Sequence, residues 1–162
     1  KKKIKSPYWH LPPTLFNQKK SPYNGKKLFT IVRNPYDRAV SEYKYRNEIL
    51  SKKKKNVSKK SLNNFIRNLE REIKKNKYCF DSHVIPQHEF IDEDTEVIKL
   101  ENIEKDFPIL MKKYNLPEEK LPKTYKTSRN VTKYDLDKKS IEILNRIYAK
   151  DFEKFGYDKI KK

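Results

Sequence analysis

The chain has 162 residues, with 40 Lys or Arg against 22 Asp or Glu, a formal charge of +18 and 35% hydrophobic residues, which bounds it to one domain or a piece of one. Its 38% charged content leans toward disorder, yet 8 Phe, 11 Tyr and one Trp, with short Ile/Leu/Val clusters, supply a modest core. No apolar run reaches the roughly 18 residues of a membrane span, nothing in the first residues resembles a secretory signal, and the lone Cys79 excludes an intramolecular disulfide framework or a Cys-rich zinc site.

Residues 1–27 hold Pro7, Pro12, Pro13, Pro22 and the turn Tyr23-Asn24-Gly25, so an irregular or extended segment is expected. Leu28 to Val32 is a short run of β-formers, long enough only for a buried strand. Pro35 then suits a first helical position, and Tyr36, Val40 and Tyr43 recur at helical spacing, which predicts an amphipathic helix from 35 to about 49. Residues 51–60 carry six lysines and read as a solvated basic loop. Leu62, Phe65, Ile66, Leu69 and Ile73 predict a second helix with Ser61 as its cap.

Residues 77–93 read as a loop or very short helix, and Val97 to Leu100 as a second short strand. Asp106 is expected to cap a helix from Phe107 to Tyr114, with Pro108 in its first turn. A Pro-, Lys- and Thr-rich loop from 116 to 136 leads to a last helix, opened by Asp137 and closed by Gly156, whose apolar stripe runs from Ile141 to Phe155. Strands separated by helices give an α/β class with a parallel sheet. Only two strong strands are visible, and the chain opens on Lys1 rather than Met, so a C-terminal portion of a single larger domain is expected.

The positive charge draws anions of any kind: a phosphate-bearing cofactor, a sulfated or carboxylated polysaccharide, or nucleic acid. Of the 40 cations 33 are Lys and 7 Arg, whereas nucleic-acid readers favour Arg where bidentate or stacking geometry matters. Gly25 and Gly156 are the only glycines, so no Gly-rich loop is present to cradle a diphosphate. The informative block is Val32 to Tyr43. Arg33 ends a buried strand where open α/β sheets bind ligands, and the following helix aims its unpaired amides and positive dipole end at the same crevice. Ser41 is placed to add a hydroxyl to a phosphate held by Arg33. A plainer arrangement stays open, in which Arg33 pairs with Asp37 and Ser41 is a surface residue.

The stretch FTIVRNPYDRAVSEY, Phe29 to Tyr43, resembles the 3′-phosphate-binding segment of sulfotransferases that use 3′-phosphoadenosine 5′-phosphosulfate (PAPS), the carbohydrate sulfotransferases in particular. VIKLENIEKDFPIL, Val97 to Leu110, and IYAKDFEKFGY, Ile147 to Tyr157, are similar to later segments of that family in the same order. The resemblance covers about residues 28–157 and implies a P-loop-type three-layer α/β fold, present in part as a short parallel sheet flanked by helices. It implies transfer of a sulfuryl group from PAPS to a hydroxyl of a carbohydrate, leaving PAP, with no metal expected. Carried over by position, Arg33 and Ser41 hold the 3′-phosphate, and Lys126, Ser128 and Arg129 stand where the family closes a basic loop over it.

A base is needed for the acceptor hydroxyl, and histidine suits that task. His10 lies where polysaccharide sulfotransferases place theirs, with Trp9 beside it to stack on a sugar or fill core. His83, Gln87 and His88 belong to a segment similar to the family's His-x-x-Pro-Gln, near the acceptor cleft. His10 is the favoured base, and His83 an alternative or an acceptor contact. Each histidine is equally open to a purely structural, hydrogen-bonded role. The family's Lys/Gly/Ser-Thr loop for the 5′-phosphosulfate has no counterpart before Leu28, so the segment alone is expected to be inactive or nearly so. By the same resemblance a eukaryotic member is Golgi membrane-associated, and otherwise cytoplasmic. Rival expectations are a non-catalytic module for nucleic acid or anionic glycans, with nucleic acid the less favoured, and a nucleotide kinase, which needs acidic Mg²⁺ ligands.

Overall fold

The computed structural model describes residues 10–16, 24–51, 57–117, 119, 121 and 130–161. Two strands, β1 (Phe29–Val32) and β2 (Glu96–Lys99), pair in parallel with Phe29 opposite Glu96 and Val32 opposite Lys99. Among the described residues five α-helices accompany them: α1 (Pro35–Lys44), α2 (Lys59–Lys75), α3 (Ile103–Lys113), α4 (Lys138–Ile147) and α5 (Ala149–Phe155). The architecture is helix-rich α/β with the short parallel sheet between helices. Among the described residues no helix is long and apolar enough to cross a membrane.

The main core lies on α1, α2 and α4, where Tyr36, Leu62, Ile66 and Leu144 are almost fully buried. A smaller core of Val32, Ile91 and Phe155 joins the end of β1 to α5. The strand expected to be buried is so only at Val32, while Phe29 and Ile31 are 49% and 41% exposed. Helix α3 leans on β2 and touches β1 through Phe107, whose ring stands 6.3 Å from Phe29.

Several boundaries differ from expectation for local reasons. The first helix keeps α geometry only to Lys44 and continues as a π turn, Tyr45–Ile49. The Asn47 side chain donates to the Tyr43 carbonyl at 2.6 Å, taking the acceptor that its own amide would use in an α-helix. Ser58, not Ser61, caps α2, and Ser61 returns the bond as the third residue of a capping box. Helix α3 starts at Ile103, after a 3₁₀ turn at Leu100–Asn102, so Asp106 lies in its first turn and Pro108 inside it. The last helix breaks at Tyr148, a buried residue whose hydroxyl donates to the Val84 carbonyl at 3.1 Å, and Gly156 ends α5 in the left-handed conformation.

Residues 77–93 contain two 3₁₀ turns, Phe80–Ser82 and Gln87–Phe90, and the loop before α4 holds a third, Lys133–Asp135. Residues 52–56 of the basic loop lie outside the described residues. Leu144 has no solvent access on α4, so Leu144→Ala is expected to cost about 2–5 kcal/mol in urea unfolding, by lost transfer energy plus a residual cavity.

Candidate functional site

The end of β1 is held by a relay that starts on a buried carboxylate. Asp151 of α5 is fully buried and accepts three hydrogen bonds, from the Gln87 amide at 2.7 Å, the His88 amide at 2.9 Å and His88 Nδ1 at 2.7 Å. Gln87, fixed this way, grips the main chain of Arg33 from both ends of its carboxamide. Its Oε1 accepts from the Arg33 amide and its Nε2 donates to the Arg33 carbonyl, each at 2.8 Å. The residues expected at the acceptor cleft thus include one, Gln87, that supports the strand end, and another, His88, anchored on Asp151.

The helix amides expected to be free for an anion are already paired. The Asn34 side chain accepts from the amides of Tyr36 and Asp37, and the Asn34 amide donates to Glu101 Oε1 at 2.8 Å. An N-cap asparagine competes for the donors that a phosphate would use, so charge on side chains has to do the work at this terminus. The Arg33 guanidinium is available for it, since among the described residues it makes no hydrogen bond or ion pair. Asp37 pairs instead with Lys133 Nζ, at 2.8 Å.

Asp37, Ser41 and Lys44 fall at helical spacing on one face of α1. Burial, and after it the charge of Arg33, pushes the Lys44 ammonium below its ordinary range, against the opposing pull of Glu48 and Asp37. The Ser41 hydroxyl is half-buried and has no hydrogen-bond partner among the described residues. Lys126, Ser128 and Arg129 lie outside the described residues. The chain just after them is anchored against α1, through buried Val131 and through Lys133 on Asp37.

On the adjacent face of α1, two of the three histidines come together. The rings of His10 and His83 meet edge to face at 4.8 Å, with the Tyr45 ring 6.2 Å from His83. His83 Nδ1 bonds Glu42 Oε2 at 3.1 Å, and His10 Nδ1 donates to the Asp81 carbonyl at 3.1 Å. Arg38 donates to the carbonyls of His83 and Ile85, at 2.6 and 2.9 Å. Phe80, Asp81 and Ser82 all have positive φ, a conformation that costs non-glycine residues about 1 kcal/mol or more each and clusters at functional sites. Cys79 is no rival nucleophile, since burial first and the Glu72 charge next push its thiol up to about 11. Trp9 lies outside the described residues. Among the described residues no group of three or more His, Cys, Asp or Glu side chains could hold a metal ion.

A model of the Sulfotransferase family matches residues 9–158, nearly the whole chain. The chain belongs to the sulfotransferase family. No curated protein and no solved structure matches it. Family membership makes the chemistry sulfuryl transfer, from a nucleotide donor to an acceptor. Within this sulfotransferase the matched span takes in both arms of the site, from His10 through the Arg33 strand end to α5.

Sequence reasoning singled out Arg33, Ser41, His10 and His83, of which the structure brings the two histidines together, and did not single out Asp151, Glu42, Lys44, Lys133 or Glu101. A carboxylate in an otherwise apolar helical stripe, Asp151 between Tyr148 and Phe152, is the signal that was available. Glu101 accepts from the Tyr157 hydroxyl as well as from Asn34. Burial alone would raise its carboxyl, but these hydrogen bonds and the Arg33 charge more than offset that and hold it below its ordinary value. A depressed carboxylate contributes stability above its unfolded pKa, and the contribution is lost as pH falls through the folded one. Glu101→Gln is therefore expected to flatten the acid limb of a stability–pH curve below about pH 4.5. Asp151→Ala strands three donors and is expected to cost about 3–5 kcal/mol by urea unfolding.

Proposed function

We propose that this sulfotransferase takes PAPS as donor and a carbohydrate hydroxyl as acceptor, and that Arg33 and Ser41 grip the donor's 3′-phosphate. The observation that carries this reading is a contrast at the β1–α1 junction. The neighbouring amides and carboxylates are paired, whereas the Arg33 guanidinium and the Ser41 hydroxyl have no partner among the described residues. With Lys133 held on Asp37 in the first turn of α1, an anion there would meet two cations against Asp37 and Glu101. Lys126, Ser128 and Arg129 close over the same phosphate from a loop whose far end is tied to α1.

The acceptor approaches over the His10–His83 pair, and one of the two takes its proton, with Trp9 and His88 against the sugar. Gln87 acts through the strand end that it grips. We place the sheet in a P-loop-type three-layer fold, and read this chain as the C-terminal portion of one sulfotransferase domain. Phe29 and Ile31, half exposed on one face of β1, support a further layer there. The sequence holds no clustered glycines for the 5′-phosphosulfate, so transfer by this chain alone is expected to be slow, for want of charge stabilisation at the leaving group.

Calorimetry with adenosine 3′,5′-bisphosphate tests the donor site. Saturable binding is expected, weakened roughly 10- to 100-fold by Arg33→Ala and about fivefold by Ser41→Ala, the range of a charge-assisted and an ordinary hydrogen bond. No heat, or an affinity indifferent to Arg33→Ala, overturns the reading, and so does binding to DNA or RNA in preference to the nucleotide. Turnover of PAPS tests the rest: fast transfer by this chain without added sequence would show that its donor site is complete.

A further inference from the structure

Glu42 is nearly buried, 8% exposed, on the face of α1 next to the one that carries Ser41. An ionised carboxylate in that position is costly unless both oxygens are satisfied. Arg46 Nη1 serves Oε1 at 3.2 Å, and His83 Nδ1 serves Oε2 at 3.1 Å. A carboxylate only accepts, so the proton in the second bond is on Nδ1, and a neutral imidazole then carries its lone pair on Nε2. His83 Nε2 has no partner among the described residues, and the side chain is 30% exposed. The ring is walled by His10 and Tyr45, and its main chain is fixed by Arg38. It follows directly on the left-handed turn Phe80–Ser82, and Arg46, which holds Glu42, also lies 4.4 Å from the Phe80 ring. His10 is held differently, with its Nδ1 on a neutral carbonyl.

We propose that Glu42 is the positioning residue of the acceptor side: it holds His83 as the Nδ1–H tautomer and makes Nε2 the base for the acceptor hydroxyl. The acceptor O–H bond breaks and its proton forms the Nε2–H bond. The oxygen's electron pair forms the new O–S bond, and the S–O bond to the donor's phosphate breaks with its electron pair on the phosphate oxygen. Glu42 then faces an imidazolium and stabilises it, as second-sphere carboxylates do for other working histidines. What Nε2 deprotonates rests on the proposed function; the tautomer does not.

Ring-nitrogen NMR of the ¹⁵N-histidine-labelled chain, at mildly alkaline pH and with His83→Asn for assignment, reads the tautomer directly. A protonated Nδ1 and a bare Nε2 are expected for His83. Glu42→Gln should keep that pattern, because its amide oxygen still accepts, and Glu42→Ala should move the proton toward Nε2. Acylation by diethyl pyrocarbonate, mapped by mass spectrometry, should be several-fold slower at His83 in Glu42→Ala than in the wild type. A wild-type His83 protonated on Nε2, an even mixture, or a tautomer unchanged by Glu42→Ala overturns the proposal. If Glu42→Ala does not fold, the wild type and Glu42→Gln decide it. None of these measurements involves nucleotide, so failure to bind adenosine 3′,5′-bisphosphate would sink the donor reading and leave the dyad standing, and the converse holds equally.

Discussion

A carboxylate without solvent access holds the site together. Burying Asp151 costs several kcal/mol of solvation, and its location is tolerable because three donors from two consecutive residues converge on it. Those donors belong to Gln87 and His88, so the strength of the charge-assisted bonds passes to a segment with little regular structure of its own. Gln87 forwards it to Arg33 as a two-point grip on the main chain. The main chain of Arg33, at the end of β1, is therefore placed by a helix more than a hundred positions away.

Helix α1 distributes the work. Successive residues turn by about 100°, so Asp37, Ser41 and Lys44 form one stripe, and Arg38, Glu42 and Tyr45 the next. The first stripe takes Lys133 on Asp37, and the second meets His83 through Glu42. A single ten-residue helix carries residues of both polar stripes and so fixes the proposed donor and acceptor sides relative to each other. Tyr36, Val40 and Tyr43, on the remaining face, lock this helix into the main core. The scaffold and the site thus share one element, which limits how far either can shift without the other.

The α/β class, the parallel pairing of Phe29–Val32 with Glu96–Lys99 and the helix that starts at Pro35 were legible because each rests on local pattern: β-formers in a run, helical spacing, a proline at the first turn. What was not legible depends on contacts remote in sequence. The role of Asn34 as a cap that closes off the helix amides emerges only with the turn in place. Gln87 looked like a cleft residue because its neighbours resemble a motif, whereas its partner is a main chain 54 positions away. Glu42 carries no local sign of its burial. Its burial depends on Arg46 one turn further and on His83 across a loop, and a period-based reading has no means to join them.

The half-exposed apolar residues of β1 have a colloidal consequence. Phe29 and Ile31 present a small apolar surface on a two-stranded sheet, the kind of flat, sticky feature that neighbouring molecules pair with. A formal charge of +18 on 162 residues opposes such encounters by mutual repulsion over a Debye length of about 10 Å at 0.1 M salt. Polyanions or concentrated salt, by neutralising or screening that repulsion, lower the barrier to such encounters.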